Sequence, residues 1–94
     1  MVDAYERVGG KAPTEVVGYG IDWSEELDDA TIASSLWTVL QGTVVPGATL
    51  EVDEFAYVAL SGGTLGEVCR IRNTITTSEG ETLVKTMELP IIDR

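Results

Sequence analysis

The chain has 94 residues, sixteen of them acidic and six basic, for a formal charge of −10 with no histidine. A chain of this length forms one domain with a compact core, usually built from two packed layers. The sign of the charge excludes a grip on DNA or RNA, which needs cations against the phosphates. It favours solubility, and a solvated acidic face is its plainest reading, with steering toward a basic neighbour as the alternative.

The first thirteen residues, with Gly9-Gly10 and Pro13, show no alternation of apolar and polar side chains. They are expected to form a flexible N-terminal arm (1–13) ahead of a single domain (14–94). The start lacks a basic leader and an apolar block, so no secretory signal is expected and synthesis in a cytoplasm is the default. In Tyr19-Gly20-Ile21-Asp22-Trp23 the large residues occupy odd positions and share one face of an extended segment. Ser24-Glu25-Glu26-Leu27-Asp28-Asp29 opens with an N-cap serine and first-turn acids, which predicts a single helical turn. Those carboxylates, with Asp22, lack the central glycine and closing glutamate of a calcium loop, so no metal site is expected.

Thr31 to Gln41 is β-branched and aromatic, with Trp37 and Val39 inward and Thr38 outward. Gly42 and Pro46-Gly47 are read as turns. Thr31 to Leu50 carries no charge but is broken by these residues, so it cannot be a membrane span of about twenty apolar residues. Leu50 to Leu60 predicts one or two strands, with Ala56, Val58 and Leu60 on one face and Phe55 and Tyr57 on the other. The loop Leu60-Ser61-Gly62-Gly63-Thr64-Leu65-Gly66 has three glycines within five residues, which lets the backbone take positive φ between strands. A phosphate cradle is excluded, because a strand follows rather than a helix and no lysine is near.

From Glu67 to Thr77 the alternation is clearest. Cys69, Ile71 and Ile75 fall inward, while Arg70, Arg72, Thr74 and Thr76 face water or a partner. Thr77-Ser78-Glu79-Gly80-Glu81 predicts a hairpin turn with Gly80 left-handed, and Thr82 to Ile92 returns with Met87, Leu89 and Ile91 inward and Pro90 outward. Cys69 has no disulfide partner and no histidine to activate it, so it reads as a small buried hydrophobe. The same inventory offers no catalytic constellation and no cofactor site. Trp23 and Trp37 read as core rather than as sugar-stacking aromatics, since a domain this small needs its largest apolar side chains inside.

Six or seven short strands, turns at about ten-residue intervals and no long helix predict an all-β, immunoglobulin-like antiparallel sandwich, with a small barrel as the alternative. Five segments occur in an order that carries a resemblance. They are Lys11-Ala12-Pro13, Asp22-Trp23, Thr31-Ile32-Ala33-Ser34-Ser35-Leu36-Trp37, Leu60-Ser61-Gly62-Gly63-Thr64 and Asn73-Thr74-Ile75-Thr76-Thr77-Ser78-Glu79-Gly80. In this the chain resembles the phage fibre-tail adaptor proteins, small immunoglobulin-like virion proteins; Cys69 departs from them, standing where they often place an aromatic residue. The resemblance implies a structural role in the virion tail or neck, joining tail or neck components to fibres. Its partners would be other phage proteins and further copies of itself, with no nucleic acid and no membrane. A neck or capsid-decoration role is the alternative. Candidate partner-binding residues are Tyr5, Arg7 and Lys11 in the arm, Ser61, Gly62, Gly63 and Thr64 in the glycine loop, and Arg70 and Arg72 on the adjoining sheet.

Overall fold

The computed structural model describes residues 5–7, as backbone, and 9–93. Seven strands and one helical turn follow in order: β1 Tyr5–Arg7, β2 Val17–Asp22, α1 Ser24–Leu27, β3 Ile32–Gln41, β4 Val44–Val52, β5 Phe55–Gly62, β6 Val68–Thr77 and β7 Thr82–Pro90. They form a four-stranded sheet, β1-β7-β6-β3, and a three-stranded sheet, β2-β5-β4. All pairings are antiparallel except β1 with β7. The order β7-β6-β3 opposite β2-β5-β4 is compatible with the immunoglobulin sandwich, and Trp37 on β3 stands where that fold buries a tryptophan.

The alternation read from the sequence is the alternation that builds the core. Ile21 on β2, Ala56, Val58 and Leu60 on β5, Cys69, Ile71 and Ile75 on β6, and Met87 and Leu89 on β7 are all buried in one cluster between the sheets. Trp23, Leu27 and Ala30 from the α1 segment close it at one end, and Val44 and Ile91 close it at the other.

A polar network crosses this apolar layer. Trp23 Nε1 donates to Asn73 Oδ1 at 2.9 Å, and Asn73 Nδ2 donates to Ser35 Oγ and the Leu36 carbonyl at 3.0 and 3.2 Å. The Lys85 ammonium lies 4.8 Å from the centre of the Trp23 ring and donates to Asp22 O and Glu26 Oε1, each at 2.9 Å. A fully buried amide and lysine are tolerable only because each polar atom finds such partners.

Three local expectations are corrected. Ser24 is not the helix cap. Trp23 occupies that position without a side-chain cap, and the Asp22 carboxylate accepts from the Ser24 N–H at 2.9 Å, an interaction that lowers the Asp22 pKa. Pro46-Gly47 is not a turn, because β4 runs through it and absorbs it as a register shift between Pro46 and Thr49. The reversal falls at Gly42 (φ 101°), where a side chain would collide with Cys69.

The third correction concerns the arm. Tyr5–Arg7 pairs along β7, Lys11 bridges to Ile91, and Lys11 and Ala12 are buried. Lys11 N–H donates to Pro90 O and Ile92 N–H to Lys11 O, so the segment is stitched to the last strand rather than hanging free. Met1 to Ala4 and Val8 lie outside the described residues.

Candidate functional site

One end of the sandwich gathers the β3–β4 turn, the β5–β6 loop, residues 9–13 and residues 90–92. Leaving β5, the chain takes positive φ at Gly62 (74°), Gly63 (103°) and Gly66 (92°), which only glycine adopts without strain. Gly63 also has a packing reason, since a Cβ there would stand 2.8 Å from Ile91 Cδ1. The loop is anchored at its far side, where Gly66 N–H donates to Ile91 O at 3.0 Å and Ile91 N–H to Glu67 O at 2.9 Å.

Glu67 organises this end. Its Oε2 accepts from Thr64 N–H at 2.7 Å, Thr43 N–H at 3.1 Å and Thr43 Oγ1 at 2.6 Å, with Cys69 Sγ at 3.4 Å. The Thr43 hydroxyl and then the Thr64 amide stabilise the ionised carboxylate, holding its pKa down at about 2. The same carboxylate and burial together push the Cys69 thiol up, burial being the larger cause. This thiol is therefore packing and not a nucleophile. Thr43 and Thr64 hydroxyls also meet at 3.0 Å, so two loops that each cross between the sheets are locked through the Glu67 side chain. The signal was present in the sequence, for Thr64-Leu65-Gly66-Glu67 has the spacing of a capping box, in which the acid reaches back to the backbone N–H three residues earlier.

Of the residues predicted to bind a partner, Ser61, Gly62, Gly63 and Thr64 do come together on this loop. Ser61, Gly62 and Gly63 are half-buried and Thr64 is exposed. Leu65 at the tip is exposed and was not among the residues predicted from the sequence. Lys11 is a correction. Its side chain is fully buried, and its ammonium donates to the carbonyls of Gly62 and Ala12, so it holds the loop from within and cannot touch a partner. Its ammonium is thereby satisfied by the Gly62 carbonyl and by that of Ala12, which also accepts from the Glu15 N–H.

Arg70 and Arg72 are brought together elsewhere, on the outer face of the four-stranded sheet. Arg70 Nε lies 3.7 Å from Glu88 Oε2, a loose and half-exposed pair of small energetic consequence. Arg72 is exposed, and its side chain makes no hydrogen bond or ion pair among the described residues. The register sets Tyr5 opposite Thr86, which faces Arg72, and Arg7 opposite Glu88, which faces Arg70. The side chains of Tyr5 and Arg7 lie outside the described residues.

The opposite end carries the acid. Asp22, Glu25, Glu26, Asp28 and Asp29 flank or form α1, Asp53 and Glu54 make the β4–β5 turn, and Glu79 and Glu81 the β6–β7 hairpin. Trp23 N–H donates to Glu54 O and Ser78 N–H to Thr31 O, which joins these pieces into one surface. The charge on the domain is thus polarised, with exposed cations on a sheet face and anions at one tip.

Residues 11–90 match the family described as podophage GP4 fiber-tail adaptor protein gp77. The match spans every strand from β2 to β7 and all the loops discussed above except the tip of the C-terminal segment. A search of curated proteins returns no match.

Proposed function

The chain belongs to the podophage GP4 fiber-tail adaptor family, and from that membership we propose that it joins tail or neck components to fibres by protein–protein contacts, as several copies in each virion. The observation that carries this reading is the match across 11–90, which spans both layers of the core rather than one motif. The geometry supports it in a specific way. A connector must hold its contact loops in fixed positions, because ordering a loose loop on binding costs affinity. Here the glycine loop is held by Lys11, Glu67 and the backbone of Ile91, while Thr64 and Leu65 remain outward. Ser61, Gly62, Gly63 and Thr64 form one contact surface, and Arg70 and Arg72 form a second that suits carboxylates on a neighbour.

The test is complementation. Particles assembled without this chain should carry tails and lack fibres, and adding the purified protein should restore fibre attachment. A Leu65→Glu variant, on an exposed site that leaves the fold intact, should restore it poorly. Fully fibred particles in the absence of the chain would overturn the adaptor role. Full restoration by Leu65→Glu would remove the loop from the contact surface and leave the role standing.

A further inference from the structure

We infer that the free edge of β3 is a strand-acceptor site for an extended segment of another protein that carries a glutamate between two apolar residues at alternate positions. Each sheet has two edges, and an unpaired edge is a template for any passing strand unless the sequence guards it. Three of the four edges here are guarded. β4 contains Pro46, a register shift and Glu51, whose position faces the inner side of the sheet. β2 has only six residues, two of them glycine, and ends at Asp22. β1 has three.

β3 has register shifts near its two ends, between Ile32 and Ser34 and between Val39 and Gln41, but it is regular between them and lacks the other devices. Ile32–Gln41 is ten residues long, pairs only with β6, and contains no charge, proline or glycine. On its outer face Leu36 and Leu40 are 62% and 45% exposed, with Thr38 between them. Register carries this pattern inward: Leu36 lies beside Thr74 and then Val84, itself exposed, while Thr38 lies beside Arg72. At the register shift Gln41, next to Leu40, lies beside Arg70, which faces Glu88, so on β3 itself the edge reads Leu36, Thr38, Leu40, with Arg72 behind the middle position.

The occupant follows from that order. A strand added outside β3 would set its own alternate residues against Leu36, Thr38 and Leu40. Apolar residues suit the outer two. The middle one stands two strand spacings from Arg72, about 9–10 Å, a gap that an arginine and a glutamate reaching toward each other close. The Arg72 side chain makes no hydrogen bond or ion pair among the described residues, so its guanidinium is available. The net charge of −10 does not forbid an acidic partner, since the acids cluster at the far tip and exposed charges are screened beyond about 10 Å. A second copy fits worse than a foreign segment, because pairing β3 with β3 adds another arginine to the face and no carboxylate. Backbone pairing would supply affinity and the alternate side chains specificity.

Placing this segment on a tail protein rests on the adaptor reading, but the edge itself can be tested apart from it. The full chain, isotopically labelled, is titrated with the capped peptide Thr-Val-Thr-Glu-Thr-Val-Thr, its Glu-to-Lys counterpart, and a version N-methylated at alternate residues. Amide shifts should move along Ile32–Gln41, the glutamate peptide should bind tighter than the lysine peptide by about two- to fivefold, and N-methylation should abolish binding. Arg72→Gln should level the two peptides and Arg72→Glu should invert their order. Shifts mapping to another element, indifference to N-methylation, no response of β3 at millimolar peptide, or dilution-dependent shifts showing self-pairing through β3 would each overturn the inference. If the peptides bind β3 while complementation fails, the adaptor reading falls and the acceptor edge stands; the reverse pattern removes the edge alone.

Discussion

The two tryptophans make the sharpest test of how this core is held, because they are alike in burial and opposite in hydrogen bonding. Trp23 is 1% exposed and Trp37 8% exposed. Trp23 Nε1 donates to Asn73, whereas Trp37 Nε1 is a buried donor with no partner among the described residues. Replacing either with phenylalanine leaves roughly 40 Å³ unfilled, which at about 24 cal/mol per Å³ costs about 1 kcal/mol. In Trp23→Phe the carbonyl oxygen of Asn73 is left buried without its donor, adding about 1–3 kcal/mol. In Trp37→Phe an unsatisfied N–H is removed, and relief of its desolvation offsets the cavity. The expected losses are therefore about 2–4 kcal/mol for Trp23→Phe and within about 1 kcal/mol of zero for Trp37→Phe. A domain of this size unfolds with about 5–15 kcal/mol, so both variants fold. Thermal midpoints should differ by at least about 4 °C, since each kcal/mol moves a small domain by about 4–8 °C. Far-UV circular dichroism is the readout, because fluorescence would report a different tryptophan in each variant. Equal midpoints, or a larger loss for Trp37→Phe, would refute the assignment of the Trp23–Asn73 bond as a structural element.

Lys85→Met should cost about 1–3 kcal/mol in urea unfolding, since it strips a donor from the Asp22 carbonyl while Glu26 can turn to water. Gly63→Ala and Gly66→Ala both force positive φ on a side chain, but only Gly63 faces Ile91. Gly63→Ala should therefore be the more destabilised of the two, by a margin beyond the strain of about 1–3 kcal/mol that they share. Glu67 has a folded pKa of about 2 against an ordinary 4.5, so its contribution is present above pH 4.5 and is lost as pH falls toward 2. The stability difference between the parent and Glu67→Gln should shrink over that interval and stay flat from pH 5 to 7, as measured by chemical unfolding at each pH.

The strands were legible because burial in a two-layered sandwich imposes a period of two, and β6 obeys it from Cys69 to Thr77 with arginine and threonine outward. The turns at Gly42 and Gly80 were legible for a different reason, since both require positive φ. Pro46-Gly47 misled because the same residues that make turns also make bulges in an edge strand, and only the pairing partner decides between them. The glycine loop was correctly read as a connection, yet its stiffness was not foreseen. That stiffness comes from Glu67, whose bonds to Thr43 span 24 residues.

The two lysines show where a single sequence stops speaking. Lysine is rarely buried, so the reasonable place for Lys11 was the surface of a mobile arm, where it would have met a partner. What reverses this is the Gly62 carbonyl, 51 residues further along, which a positive-φ turn leaves facing the interior beneath the N-terminal segment. Lys85 is drawn in likewise by Asp22 O, 63 residues away, and by the face of Trp23. In both cases the acceptor is a backbone group whose direction depends on the completed fold, and no side-chain pattern encodes it. The consequence for function is direct. The cations that composition offered as docking groups divide, among the described side chains, into two that fasten the sandwich internally and two, Arg70 and Arg72, that stand on one sheet face. A partner recognising positive charge on this domain has that face to meet, beside the uncharged edge of β3.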